Sequence, residues 1–292
     1  MSQAPAESIS REHRKTLYSG PFSIVPRYFM IPATIGFLFI LGPLVALLVN
    51  MPFAKLDSII DEEVLGATRL SLYTASISTL ICGVLGAPLA LLLSKVIDRS
   101  RVKAVGNVLY AVIYTPIIFS PVVSGLGLLF FWGRKGLIGA WLYEQGARIT
   151  FTTTAVIIAQ VFVALPFFVA SAVTTLQSIP KEYEEIARVE GARASEITYK
   201  VLLPLAAPGI FTGFLLSFAR ALGEFGATVT FAGNVKGKTE TIPLNIDLAI
   251  SGGSMNSALG SALMLISLYL CVFGLIGLFR FAKQLRAAAT KR

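Results

Sequence analysis

Histidine is almost missing from this 292-residue chain: His13 is the only one. No His-rich metal site or histidine-based catalytic site can be built from it, and no catalytic residue, metal or cofactor is expected. Cysteine is nearly as scarce. Cys82 and Cys271 both sit inside apolar runs, where they read as small buried hydrophobes rather than a disulfide framework. Charge is short as well, at 14% of residues. A soluble domain carries about 25%, so this chain lacks the polar surface to cover itself in water. It is instead 55% hydrophobic, with a mean hydropathy of +0.74. The class is an all-α integral membrane protein. The net charge of +9 then belongs to orientation in a bilayer rather than to nucleic acid.

A bilayer core needs about 20 mostly apolar residues per crossing helix. Six stretches qualify: 28–50, 70–93, 105–132, 152–176, 205–231 and 257–281. The first lies behind a long polar tail without a small-x-small site, so it reads as a retained span rather than a cleaved signal peptide. Residues 1–27 form an N-terminal tail, 28–281 the membrane domain and 282–292 a C-terminal tail.

Basic residues choose the sides. Arg11, Arg14, Lys15 and Arg27 precede the first span, and Lys95, Arg99, Arg101 and Lys103 follow the second. Lys181, Arg188, Arg193 and Lys200 occupy the 177–204 loop, and Arg280, Lys283, Arg286, Lys291 and Arg292 close the chain. The alternate segments hold fewer: Lys55, Arg69, Arg134, Lys135, Arg148, Lys236 and Lys238. The positive-inside rule predicts both termini and the 94–104 and 177–204 loops in the cytoplasm.

Residues 232–239, "AGNVKGKT", fit a relaxed phosphate-binding loop. That loop works only between a strand and a helix, where backbone N–H groups cradle phosphate. Here a membrane span precedes it, Pro243 would interrupt a helix starting at Lys238, and the charges put it outside. Nucleotide binding is not expected.

The 177–204 stretch, "QSIPKEYEEIARVEGARASEITYKVLLP", predicts two short helices. Ser178 and Pro180 suit a helix start, and Glu182, Glu184 and Glu185 favour its N-terminus. Tyr183, Ile186 and Ala187 form an apolar stripe, and Glu184 can pair with Arg188. Gly191 ends that helix, Ser195 can cap the next, and Pro204 opens the following span. Physics alone leaves two options: a charged loop on the membrane surface, or helices presented to a cytoplasmic partner.

Within the fifth span, "SFARALGEFGATVTFAGN" puts Arg220 and Glu224 one turn apart. Intramembrane charges face the bundle interior or a wet cavity. The pair could fix packing, or wall a pathway in which Arg220 attracts an anion; Thr228 follows one turn on. Gly223 and Gly226 permit close helix approach. In the third span, Pro116 and Pro121 predict a break or kink, with Ser120 and Ser124 available to line a cavity.

Glu185-Ile186-Ala187, Gly191 and Val201-Leu202-Leu203-Pro204 resemble, at their spacing, the EAA loop of ABC importer permeases. That resemblance implies a type I ABC importer permease fold. It also implies a loop that plugs into a separate ATPase subunit, with Glu185, Ala187, Gly191 and Pro204 at coupling positions. Ile186 departs from the family's alanine. The run "RALGEFGAT" and "AGN", with Glu240-Thr241-Ile242-Pro243 after it, is similar to the molybdate and tungstate branch. So is "TPIIFSPVVSGLGLLFFWGRKGLIG" with its Gly133-Arg134-Lys135-Gly136 turn, although Ser120 stands where a second proline is expected. The resemblance covers residues 65–281. It implies a homodimer, two cytoplasmic ATPase subunits, an extracytoplasmic solute-binding protein and a tetrahedral oxyanion cargo. Sulfate or thiosulfate is the alternative cargo, and a gradient-driven secondary anion transporter the alternative class.

Overall fold

The computed structural model describes residues 27–51, 59–97 and 103–289. The N-terminal tail through residue 26, residues 98–102 of the 94–104 loop and residues 290–292 lie outside the described residues, and so do the sidedness expectations that rest on them. The chain forms two units, residues 1–54 and 55–292. In the first, α1 (Met30–Val49) is apolar all round, with no buried residue and a mean hydropathy of 2.3. Its length of about 30 Å, at 1.5 Å per residue, matches the bilayer core.

The second unit runs α2 (Glu62–Ile97), α3 (Lys103–Ile118), α4 (Pro121–Trp132), α5 (Gly139–Glu144), α6 (Thr153–Gln177), α7 (Glu182–Val189), α8 (Leu203–Leu222), α9 (Gly226–Ala232), α10 (Ile242–Ser251) and α11 (Met255–Ala289). No strand occurs among the described residues. With α1, the helices α2, α6, α8 and α11 are long and apolar enough to cross a membrane. α11 continues to Ala289 and so includes residues 282–289 of the expected C-terminal tail.

The predicted third span is not straight: α3 and α4 meet at a bend of 114°. Contacts at the two ends of the bundle show that the pair still crosses. Lys95, near the end of α2, is ion-paired with Glu184 of α7. At the other end Glu63, at the start of α2, is ion-paired with Lys236, and Thr153, at the start of α6, donates to the Lys238 carbonyl at 2.9 Å. The end of α2 and the start of α6 therefore lie at opposite ends, and of the helices between them α5 has only six residues, which leaves the crossing to α3–α4. It is a broken span.

The local cause of the break is legible. Ser120 takes φ −54°, ψ 138°, the extended conformation imposed on a residue before proline. Pro121, without an N–H, then starts α4 in the first turn, where none is needed. The missing second proline at 120 does not prevent the break. The predicted fifth span also divides: α8 stops at Leu222, Gly223 caps it, and α9 starts three residues later.

α6 packs between α2 and α8. Its Phe168 is fully buried beneath Gly86 of α2, where an added Cβ would lie 2.5 Å from the ring. The ring meets Phe214 of α8 edge-on, centroids 5.0 Å apart. Small residues let the backbones approach, as expected where lipid removes the hydrophobic drive between helices. Gln160, buried in α6, accepts from Ser78 of α2 at 3.0 Å. Cys82 is buried as expected, whereas Cys271 is exposed on α11.

Residues 242–251, expected as part of an outer loop, form α10 and tuck into the bundle. Pro243 sits in its first turn. The Ile242 N–H donates to Ser71 Oγ at 2.8 Å, and Asn245 donates to Glu240 at 2.8 Å and accepts from Ser261 at 2.6 Å. The "AGNVKGKT" stretch is preceded by helix α9, and it closes on itself. Thr239 Oγ1 donates to the Gly233 carbonyl at 2.9 Å and accepts the Val235 N–H at 2.7 Å.

Candidate functional site

The breaks in the third and fifth spans touch. Gly226, the first residue of α9, faces Pro121, the first residue of α4: an added Cβ would lie 2.4 Å from Pro121 Cβ. One turn further on, a Cβ at Gly125 would lie 2.6 Å from Thr230 Cβ. Neither proline ring nor helix backbone can yield cheaply. Gly226→Ala should therefore cost about 1–3 kcal/mol, as overpacking does. Thermal unfolding of the purified protein in detergent checks this, with Gly127→Ala as the control, because nothing lies within 4 Å of that position.

Beside this contact a cavity of about 130 Å³ is lined by Pro116, Phe119, Pro121, Ser124, Phe167 and Arg220, among others. Arg220 Nη2 lies 2.7 Å from Glu224 Oε2, with Arg220 27% and Glu224 1% exposed. The other Glu224 oxygen accepts the Ala227 N–H at 2.8 Å. One carboxylate thus holds the arginine and caps the start of α9 across the break. Such a charge, at about 2.5–3.5 kcal/mol on a lone helix at bilayer centre, is tolerable here because it is paired and lies at a cavity. Irregular backbone at membrane depth survives for the same reason.

Of the predicted pathway residues, Arg220 and Ser124 meet in this cavity, and Glu224 joins them through Arg220. The Ser124 hydroxyl is buried with no protein partner, an orphan donor at the wall. Thr228 is also buried with an unpartnered hydroxyl, but it does not line the cavity. Ser120 is exposed at the break and makes no capping hydrogen bond. Phe167 carried no sequence signal, and the sequence marked Pro121 and Gly226 separately but not their contact.

At one end of the bundle, α7 forms as the acidic first turn and Gly191 predict. Gly191 has φ +82°. The Ala192 N–H reaches the Ala187 carbonyl at 2.9 Å and the Gly191 N–H reaches that of Arg188 at 3.0 Å, a Schellman cap. Arg188 lies 3.9 Å from Glu184. Other details differ. Ser178 caps the end of α6, bonding the Thr175 carbonyl at 2.7 Å, and Pro180 lies ahead of the helix. Arg193, not Ser195, occupies the next N-cap, where its N–H donates to the Glu196 carboxylate at 3.0 Å. Ala187 faces inward against the bundle core. The outward face is Tyr183, Ile186 and Val189, flanked by Glu185. A π turn, Ile197–Leu202, leads into α8, with Pro204 in that helix's first turn.

Comparison with known proteins follows the same lines. The family described as binding-protein-dependent transport system inner membrane component matches residues 83–283. The chain is similar to the molybdenum transport system permease protein ModB of Mycobacterium tuberculosis, 42% identical over 78% of this chain and 85% of that one. It is also similar to the sulfate transport system permease protein CysW of Synechocystis, 34% identical over 70% and 72%. Among solved structures, a bacterial ABC transporter that imports the acidic polysaccharide alginate shares the fold, with a TM-score of 0.64 over 95% of this chain and 97% of that one at 18% identity.

Proposed function

Because this chain belongs to the family of binding-protein-dependent transport system inner membrane components, we propose that it is the permease subunit of an ATP-driven importer for molybdate or tungstate. The observation that carries the cargo is the 42% identity to a molybdenum permease, against 34% to a sulfate permease. The cavity at the two helix breaks suits that cargo: Arg220 supplies positive charge, Ser124 a donor, and nothing there forms a tight cage. Conduction needs binding that is weak enough to release.

The subunit works as one of a homodimer, with the pathway between the copies. It holds both termini and the 177–204 loop in the cytoplasm, and receives cargo from a solute-binding protein outside. Two ATPase subunits dock on the Tyr183, Ile186 and Val189 face of α7, with Glu185, Gly191 and Pro204 shaping the attachment. Supporting that role, α7 is tied to α2 through Lys95–Glu184, and beyond the Gly191 turn the chain passes through the π turn into α8, which carries Arg220 at its far end.

The test is labelled uptake by the reconstituted complex, with molybdate, tungstate and sulfate in competition. Molybdate and tungstate should compete equally and best. Strongest competition by sulfate overturns the cargo, and uptake that persists without any ATPase overturns the class.

A further inference from the structure

Arg134, Arg148 and Lys238 gather at the end of the bundle opposite α7. They line a dish of about 570 Å³, with Trp132, Tyr143 and Thr150 among the other wall residues. No acidic residue lines it. The Arg134 guanidinium carbon lies 4.4 Å and that of Arg148 5.8 Å from the Tyr143 ring centroid. One aromatic ring therefore holds two like charges that line the same dish, a cation–π arrangement that orders them without neutralising them. Among the described residues none of the three has an ion-pair partner.

The neighbouring lysine marks the contrast. Lys236 is ion-paired with Glu63, which raises its pKa through hydrogen bond and charge, and its own pocket is lined by Glu62, Glu63 and Glu240. The two lysines of "AGNVKGKT" thus divide between an acidic pocket and a basic one. Thr153 holds the Lys238 carbonyl over the start of α6. The N-terminal N–H groups of that 25-residue helix add partial positive charge to the same space.

We infer that this dish captures a tetrahedral oxyanion at the entrance to the pathway, before the cavity at Arg220. The inference rests on the oxyanion cargo proposed above. Exposed charges and a dish far larger than one oxyanion mean that the ion stays hydrated and weakly held. A cleft lined by one sign of charge raises local ion concentration and association rate by about 10–10³-fold, falling with salt. That is a capture function, and it places a second anion site on the chain.

The experiment uses the permease–ATPase complex in nanodiscs, first without binding protein. Equilibrium binding of labelled molybdate and sulfate is measured at low and at physiological ionic strength. The triple variant R134Q/R148Q/K238Q should lose about tenfold or more of the low-salt binding. Lys135→Gln, exposed in the same turn but outside the dish, should bind as wild type does. Unchanged binding by the triple variant overturns the site. So does a triple variant that keeps its anion binding but loses affinity for the binding protein, which would make the dish a seat for acidic side chains of that partner. If sulfate and molybdate both bind at the dish while only sulfate is transported, the capture site stands and the proposed cargo fails.

Discussion

Replacing Glu224 with alanine should abolish uptake and lower stability by about 3–5 kcal/mol, the usual result of removing one partner of a buried charge pair. Glu224 is 1% exposed and uses one oxygen on Arg220 and the other on the Ala227 N–H. The alanine variant leaves a guanidinium uncompensated inside the bundle and uncaps α9 beside the Pro121–Gly226 contact. Glu224→Gln separates the two effects, because an amide oxygen can still cap but no longer carries charge. The double variant Arg220→Met, Glu224→Gln removes the charges together. It should recover most of the stability, since an apolar replacement of a buried pair is often neutral. Uptake should stay lost if Arg220 meets the anion. Thermal unfolding and labelled uptake on the same preparations decide this: a double variant that transports like wild type removes Arg220 from the pathway.

Gly191→Val should uncouple ATP hydrolysis from transport while leaving the membrane domain assembled. Gly191 sits at φ +82°, yet an added Cβ there would meet nothing within 4 Å. The penalty is therefore purely conformational, about 1–2 kcal/mol for a left-handed residue and more for a β-branched one. At 1.4 kcal/mol per decade, this is about tenfold in the population of correctly capped α7. Asparagine tolerates that region, so Gly191→Asn should be milder. The readout is ATPase activity stimulated by loaded binding protein. Full stimulation in the valine variant would falsify the coupling role of α7.

The sequence spoke clearly where its signals were local. Apolar runs marked the six crossings, and spacing put Arg220 within reach of Glu224. An acidic first turn with a glycine seven residues after Glu184 defined α7. It was silent on what depends on direction and distant partners. Hydropathy counts residues without sensing where a chain turns, so the 205–231 run hid the break at Gly223. α10 is ten residues long, too short to register as a span. Its burial depends on Ser71 and Ser261, which no local pattern connects to it. Lys236 and Lys238 looked alike until Glu63, far away in the chain, claimed one of them. Ser195 lost the cap to Arg193 because Glu196 supplied the acceptor.

The closed turn at 233–239 separates what the backbone needs from what the side chains do. Its backbone asks for positive φ at Gly233 and Gly237, +68° and +71°, and for a hydroxyl at 239 that donates to one backbone group and accepts from another. Glycine, one position the turn leaves free, then serine or threonine is therefore what the turn itself requires, and the lysine that the dish uses at that position completes the outline of a nucleotide pattern. The side chain at 238 can therefore change the charge of the dish with no change in the turn, which rests on 233, 237 and 239.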